Sequence, residues 1–185
     1  MTLVDILTAE GEPTGQTASV DEISKKGLWR RGVHALIYNP QQEVIIQKRS
    51  HEIIYHPDLL DLSVGGGVDA GETPLEAIIR ETREELGLII EPGMITPIGV
   101  RKYNHRWPIY KKTCRCFNHG YLIRVEATND DLVTEPSELT WAKFIPLAEA
   151  KRLIKKGRLK SLGRLEPTYA YYKYQIEQLD KVLAS

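Results

Sequence analysis

A dominant charge is the first thing this sequence lacks: 25 Lys and Arg stand against 25 Asp and Glu, so no global basic field points to long nucleic acid or an anionic membrane. Cysteine is scarce. The only two, Cys114 and Cys116, are alternate residues of an expected strand, badly placed to bridge one another, and two thiols do not make a zinc site, so they read as small buried hydrophobes. No apolar run approaches a membrane span. The opening Met1-Thr2-Leu3-Val4-Asp5 lacks the basic region and apolar stretch of a secretory leader, and with reduced thiols this sets the expectation of a cytoplasmic protein. Repeats, low-complexity tracts and Pro-, Gly- or Ser-rich linkers are missing too. That leaves 185 residues of 21.0 kDa as one domain, able to bury a core without staples.

What is present alternates between strand-like and helix-like segments, the pattern of a mixed α/β (α+β) domain. Leu3 to Leu7 reads as a short strand and Glu10-Gly11-Glu12-Pro13-Thr14-Gly15 as a turn cluster, so residues 3–20 predict a hairpin. Ser19-Val20-Asp21-Glu22 opens a short helix that Gly27 stops, and residues 1–28 together form an N-terminal extension. Val33–Tyr38 and Val44–Gln47, separated by Asn39-Pro40-Gln41-Gln42, read as a second hairpin. Residues 55–62 read as a loop leading into Ser63-Val64 and then Gly65, Gly66 and Gly67. Further strands are expected near Met94–Val100, over Phe117–Val125 and over Trp141–Ile145, with helices over Leu147–Lys156 and Thr168–Leu183. Tyr169, Tyr171, Tyr172 and Tyr174 on the last helix read as packing or oligomer contacts.

The segment after the glycines carries the chemistry. Thr73, Pro74 and Glu76 supply an N-cap, a proline at the first helical position and a capping-box glutamate, and Gly87 sits where a left-handed stop belongs. Over 74–86 the helical period places Leu75, Ile78, Ile79, Thr82 and Leu86 on one stripe and Glu81, Glu84 and Glu85 on another. A solvated acidic face usually alternates its signs. Here three carboxylates crowd together with Arg80 as the local counter-charge, and their repulsion costs stability unless a cation fills the gap. Mg²⁺ prefers a few carboxylates, waters and substrate phosphate oxygens, and the glycines let the backbone approach closely enough to add a carbonyl.

Gly66-x5-Glu72-x7-Arg80-Glu81-Thr82-Arg83-Glu84-Glu85-Leu86-Gly87-Leu88 resembles the Nudix box over residues 66–88. The one departure is Thr82, where an aliphatic residue is expected. The resemblance implies a Nudix fold across 1–185, a mixed β-sheet sandwiched between helices with an N-terminal β-hairpin extension. It also implies a metal-dependent hydrolase that cleaves a nucleoside diphosphate linked to another group by water attack on phosphorus. By that resemblance Glu81, Glu84 and Glu85 hold Mg²⁺ or Mn²⁺, with a carbonyl from Gly65 or Gly66. Arg80 positions the glutamates, Glu72 braces the loop, and Glu138, in Thr134-Glu135-Pro136-Ser137-Glu138, is the candidate general base. The partner is a small-molecule diphosphate, with homodimers common in the family.

Much of the chain before the box also resembles the branch that includes isopentenyl-diphosphate isomerases. Those use a cysteine just before the box, where this chain has Leu62-Ser63-Val64-Gly65-Gly66, so hydrolysis is the expectation and isomerisation is not. A non-catalytic binding module is the third reading, against which the intact box argues. Arg31 and Arg49, with Arg30 and Lys48, are candidates to meet phosphates. Tyr103, His105, Arg106, Trp107 and Tyr110, expected in one loop, are candidates to stack a base.

Overall fold

The computed structural model describes residues 2–54, 56–159 and 166–184; Tyr55, at the head of the expected loop, lies outside them. The sheet is organised around β3 (Trp29–Tyr38), whose residues Val33 to Tyr38 are buried without a break. A strand flanked on both sides and covered on both faces reads as a continuous apolar run rather than an alternation. β8 (Lys112–Arg124) runs parallel to it, from Trp29 opposite Arg115 to Tyr38 opposite Arg124. On its other flank β6 (Val64–Gly67) lies antiparallel, with His34 opposite Gly65 and Val33 opposite Gly66. β7 (Ile95–Trp107) completes a long hairpin with β8. The N-terminal hairpin forms as expected, β1 (Leu3–Leu7) with β2 (Pro13–Ser19), and joins β3 through Leu7 opposite Trp29. It is followed by α1 (Val20–Lys26), capped by Ser19, whose Oγ accepts from Glu22 N–H, and ended by a left-handed Gly27.

The second expected hairpin is corrected. β3 and β4 (Glu43–Arg49) pair only at Tyr38 opposite Val44 and then part. Ser63 fills the opening: the Ile37 amide donates to Ser63 Oγ at 2.9 Å, and Ser63 Oγ donates to the Ile45 carbonyl at 2.9 Å. Beyond this wedge β4 pairs with β5 (Leu60–Leu62) while β6 turns back along β3, and β9 (Leu139–Pro146) lines the other edge of β4 along its whole length. The loop expected over 55–62 thus ends in strand β5, and the glycines that follow lie in β6.

Helices cover both faces. α2 (Pro74–Leu86) lies over Val33, Ala35, Ile37, Ile45 and Phe144. α3 (Leu147–Lys155) and α4 (Glu166–Leu183) cover Leu36, Val44, Ile46 and Leu122 from the other side. This is a mixed α+β sandwich. On α2 every start and stop signal is used: Thr73 and Glu76 exchange both capping-box hydrogen bonds, and Gly87 is left-handed, with no room for a Cβ against Val133. The buried stripe differs from the expected one, since Leu75 is exposed and Ala77 and Glu85 are buried in its place. The small Ala77 suits close approach over the glycine-rich β6. Thr82 is fully buried and donates its hydroxyl to the Ile78 carbonyl at 2.7 Å, so it substitutes for an aliphatic residue without an unpaired polar atom. Among the described residues no helix is long and apolar enough to cross a membrane.

Candidate active site

The two central glycines of β6 serve opposite faces. A Cβ on Gly66 would stand 2.1 Å from Glu81 Cδ, and one on Gly65 would stand 2.7 Å from His34 Cδ2. Only a strand without side chains lets the Glu81 carboxyl lie directly on the backbone.

Arg80 gathers the loop and the helix into one unit. Its Nε and Nη2 donate to the two oxygens of Glu72, both at 3.0 Å, and Nη2 also donates to the Gly67 carbonyl at 3.0 Å. Its Nη1 donates to Glu81 at 2.9 Å and to Glu84 at 3.0 Å. Burial works against the Glu72 charge, yet the guanidinium fork and the Asp69 amide hold its carboxyl below the usual range. Glu72 in turn holds Arg80 more firmly protonated. The bracing pair expected from the sequence is thus Glu72 with Arg80.

Glu81 and Glu85 face the opposite electrostatic situation. Burial raises the Glu81 carboxyl, with Arg80 acting against it. Burial, and after it the charge of Glu81, pushes Glu85 well above the ordinary carboxylate range. Glu85 is 7% exposed, and its carboxyl accepts from Gln47 Nε2 at 3.3 Å. Glu84 is the exposed member, its side chain 58% accessible. Among the described residues no three His, Cys, Asp or Glu side chains gather closely enough to hold a metal ion as they stand, and Glu81 and Glu84 are both engaged by Arg80 Nη1. The donor set nonetheless suits a divalent cation: burial raises both Glu81 and Glu85, the charge of Glu81 raises Glu85 further, and a cation between them would offset both burial and repulsion.

Other expected residues divide. Glu138 is exposed at the entry to β9, its amide donating to the Glu135 carbonyl at 3.0 Å and its carbonyl accepting from Ser50 at 2.8 Å. Its charge adds to the repulsion at Glu85, and that of Arg49, at the end of β4, relieves it. Both therefore border the carboxylate site. Arg31 instead faces Asp5 of β1 at 3.6 Å. The loop expected around Tyr103 is largely strand: Tyr103, His105 and Trp107 alternate on one face of β7, and Arg106 is exposed on the other. Tyr103 is buried enough that its phenol is raised in pKa.

The sequence reading missed Gln47, Ser63, Asp61 and His34, all buried polar residues. A signal was present for His34, a single polar residue within the apolar Val33-His34-Ala35-Leu36, whereas Gln47 is followed by Lys48 and Arg49 and reads as the polar end of its strand.

Comparison with known proteins places this geometry. The NUDIX domain model matches residues 28–165. A Nudix hydrolase of Deinococcus radiodurans is 32% identical over 144 residues, covering 77% of each chain. Nudix hydrolase 3 of Arabidopsis thaliana is 28% identical over 155 residues, 82% of this chain, which spans only 20% of the plant protein's length. A crystal structure from Deinococcus radiodurans superposes with a TM-score of 0.67 at 26% identity, covering 91% of this chain and 98% of its own.

Proposed function

The chain belongs to the Nudix family, and from that membership we propose that it is a metal-dependent hydrolase of a diphosphate linkage, in a nucleoside diphosphate joined to a second group, acting by water attack on phosphorus. The observation that carries the reading is a pair of carboxyls, the partly buried Glu81 against Gly66 and the buried Glu85 beside Gln47, held on one helix that Arg80 ties to its loop. Buried acidic groups that repel one another lower the stability of a fold unless they serve a ligand.

In this reading Glu81 and Glu85, with Glu84 and the Gly65 carbonyl, hold Mg²⁺ or Mn²⁺. A bound divalent cation neutralises diphosphate charge and lowers the pKa of the attacking water. Arg80, held by both oxygens of Glu72, positions Glu81 and Glu84. Glu138 accepts the proton of the attacking water, and Arg49, whose charge already lowers Glu85, is the candidate to meet a phosphate. Isomerase chemistry is the weaker reading, since β6 offers no thiol, and burial pushes the Cys116 thiol on β8 up to about 12.

The test is a panel of nucleoside triphosphates, nucleotide sugars, dinucleotides and non-nucleotide diphosphates, assayed with Mg²⁺, with Mn²⁺ and with chelator. Phosphate or pyrophosphate release that requires the cation is the expected result. Release undiminished by chelator would contradict it.

A further inference from the structure

Arg80 holds two of the three box acids and not the third. Among the described residues it makes hydrogen bonds to Glu72, Gly67, Glu81 and Glu84 but none to Glu85. The Glu85 carboxyl meets a neutral donor instead, the side-chain amide of Gln47.

Gln47 has little freedom. Its backbone lies inside the sheet, with Asp61 of β5 opposite on one side and Ala142 of β9 on the other, and it is 1% exposed. The strand period puts it on the same face as Ile45, which packs under α2. Its Nε2 donates to the Ser63 carbonyl at 2.8 Å and to Glu85 Oε2 at 3.3 Å, so both amide protons have an acceptor. Its Oε1 is buried without a hydrogen-bond partner. Turning the amide over would set Oε1 against the Ser63 carbonyl, an acceptor with no proton to give, and take the N–H away from Glu85. The amide is therefore held for its nitrogen, and its own oxygen is left unsatisfied.

Ser63 is what fixes it. The Ser63 backbone sits at φ +35°, in the left-handed region that a residue with a side chain rarely adopts. Each of its polar groups is engaged: the amide donates to the Ile45 carbonyl at 3.2 Å, Oγ links Ile37 to Ile45, and the carbonyl accepts from Gln47. The residue that parts β3 from β4 thus also aims the acceptor that orients Gln47. One neutral amide then connects this wedge to the acid on α2. Its neutrality matters. A cationic donor on Glu85 would offset the charge that attracts a divalent ion, whereas an amide orients the carboxyl and leaves its charge in place.

We propose that Gln47 is a positioning residue of the cation site, orienting the Glu85 carboxyl for a divalent metal ion as Arg80 orients Glu81 and Glu84. The inference rests on the reading of Glu85 as a metal ligand. The experiment is titration of the full chain with Mn²⁺, without substrate, following the paramagnetic resonance signal of the free ion. Gln47→Met keeps an unbranched side chain and removes both N–H donors. It should weaken Mn²⁺ binding about tenfold or more, the scale for a residue that supports a metal ligand. Gln47→Asn, a methylene too short to bridge Ser63 and Glu85, is the second variant, with the same expectation. Ile45→Val, on the same face of β4, is the control: it should lower the melting temperature and leave Mn²⁺ affinity unchanged, which separates positioning from a merely structural role. Binding by both Gln47 variants as tight as that of the unaltered chain, or a loss matched by Ile45→Val, would overturn the proposal. Affinity lost in Glu85→Gln but kept in Gln47→Met would remove Gln47 alone and uphold the metal reading. An unaltered chain that binds no Mn²⁺, or binds it no better than Glu85→Gln, would remove both.

Discussion

Gly66 and Glu81 are in such close contact that a methyl group on the one would stand 2.1 Å from the carboxyl carbon of the other. The glycine of the strand and the acid of the helix therefore form a single feature. Gly66→Ala should displace the Glu81 carboxyl while the rest of α2 stays capped. Overpacking of this kind costs about 1–3 kcal/mol, and the account expects a turnover loss of about tenfold or more with the far-UV circular dichroism unchanged. Full activity in Gly66→Ala would show that the Glu81 position is unimportant.

Arg80→Lys tests the tie between loop and helix. Lysine keeps one charge but cannot reach both Glu72 oxygens and the Gly67 carbonyl while also meeting Glu81 and Glu84. The expected result is a kcat lowered by about tenfold or more, since Glu81 and Glu84 lose their common anchor. Because Arg80 is partly exposed, the stability loss should be small, about 1 kcal/mol, after solvent screening. Steady-state kinetics beside a urea titration separates the two effects, and a large stability loss with normal kcat would contradict the assignment.

Ser63→Ala removes the wedge between β3 and β4. The Ile37 amide loses its acceptor in a fully buried place, whereas the Ile45 carbonyl loses the hydroxyl but keeps the Ser63 amide at 3.2 Å. Unsatisfied buried groups cost about 1–3 kcal/mol each, and a urea titration should show a loss in that range. A midpoint equal to that of the unaltered chain would mean the strands part for another reason.

How much of this was legible in the sequence depends on how local the cause is. The α2 helix could be read to its ends because Thr73, Pro74, Glu76 and Gly87 act on their own backbone. The α1 helix was readable for the same reason. The parting of β3 from β4 was hidden, since Asn39-Pro40-Gln41-Gln42 is a good turn and nothing within it reveals that Ser63 will enter further along. Leu75 and Ala77 exchanged roles because a helical period gives a stripe but not the height of the sheet beneath it. The box acids and their arginine followed from spacing. Asp61, His34, Gln175 and Tyr103 did not, because they meet across four elements distant in the chain.

The central claim, that the buried acids of α2 carry metal-dependent diphosphate hydrolysis, is tested most directly by turnover of Glu85→Gln with saturating Mg²⁺ or Mn²⁺. The substitution removes a charge without changing shape, at a site where burial and Glu81 already disfavour that charge. The account predicts a kcat reduced at least about 100-fold in a protein that melts at or above the temperature of the original chain. Near-normal turnover in a folded Glu85→Gln variant would contradict it.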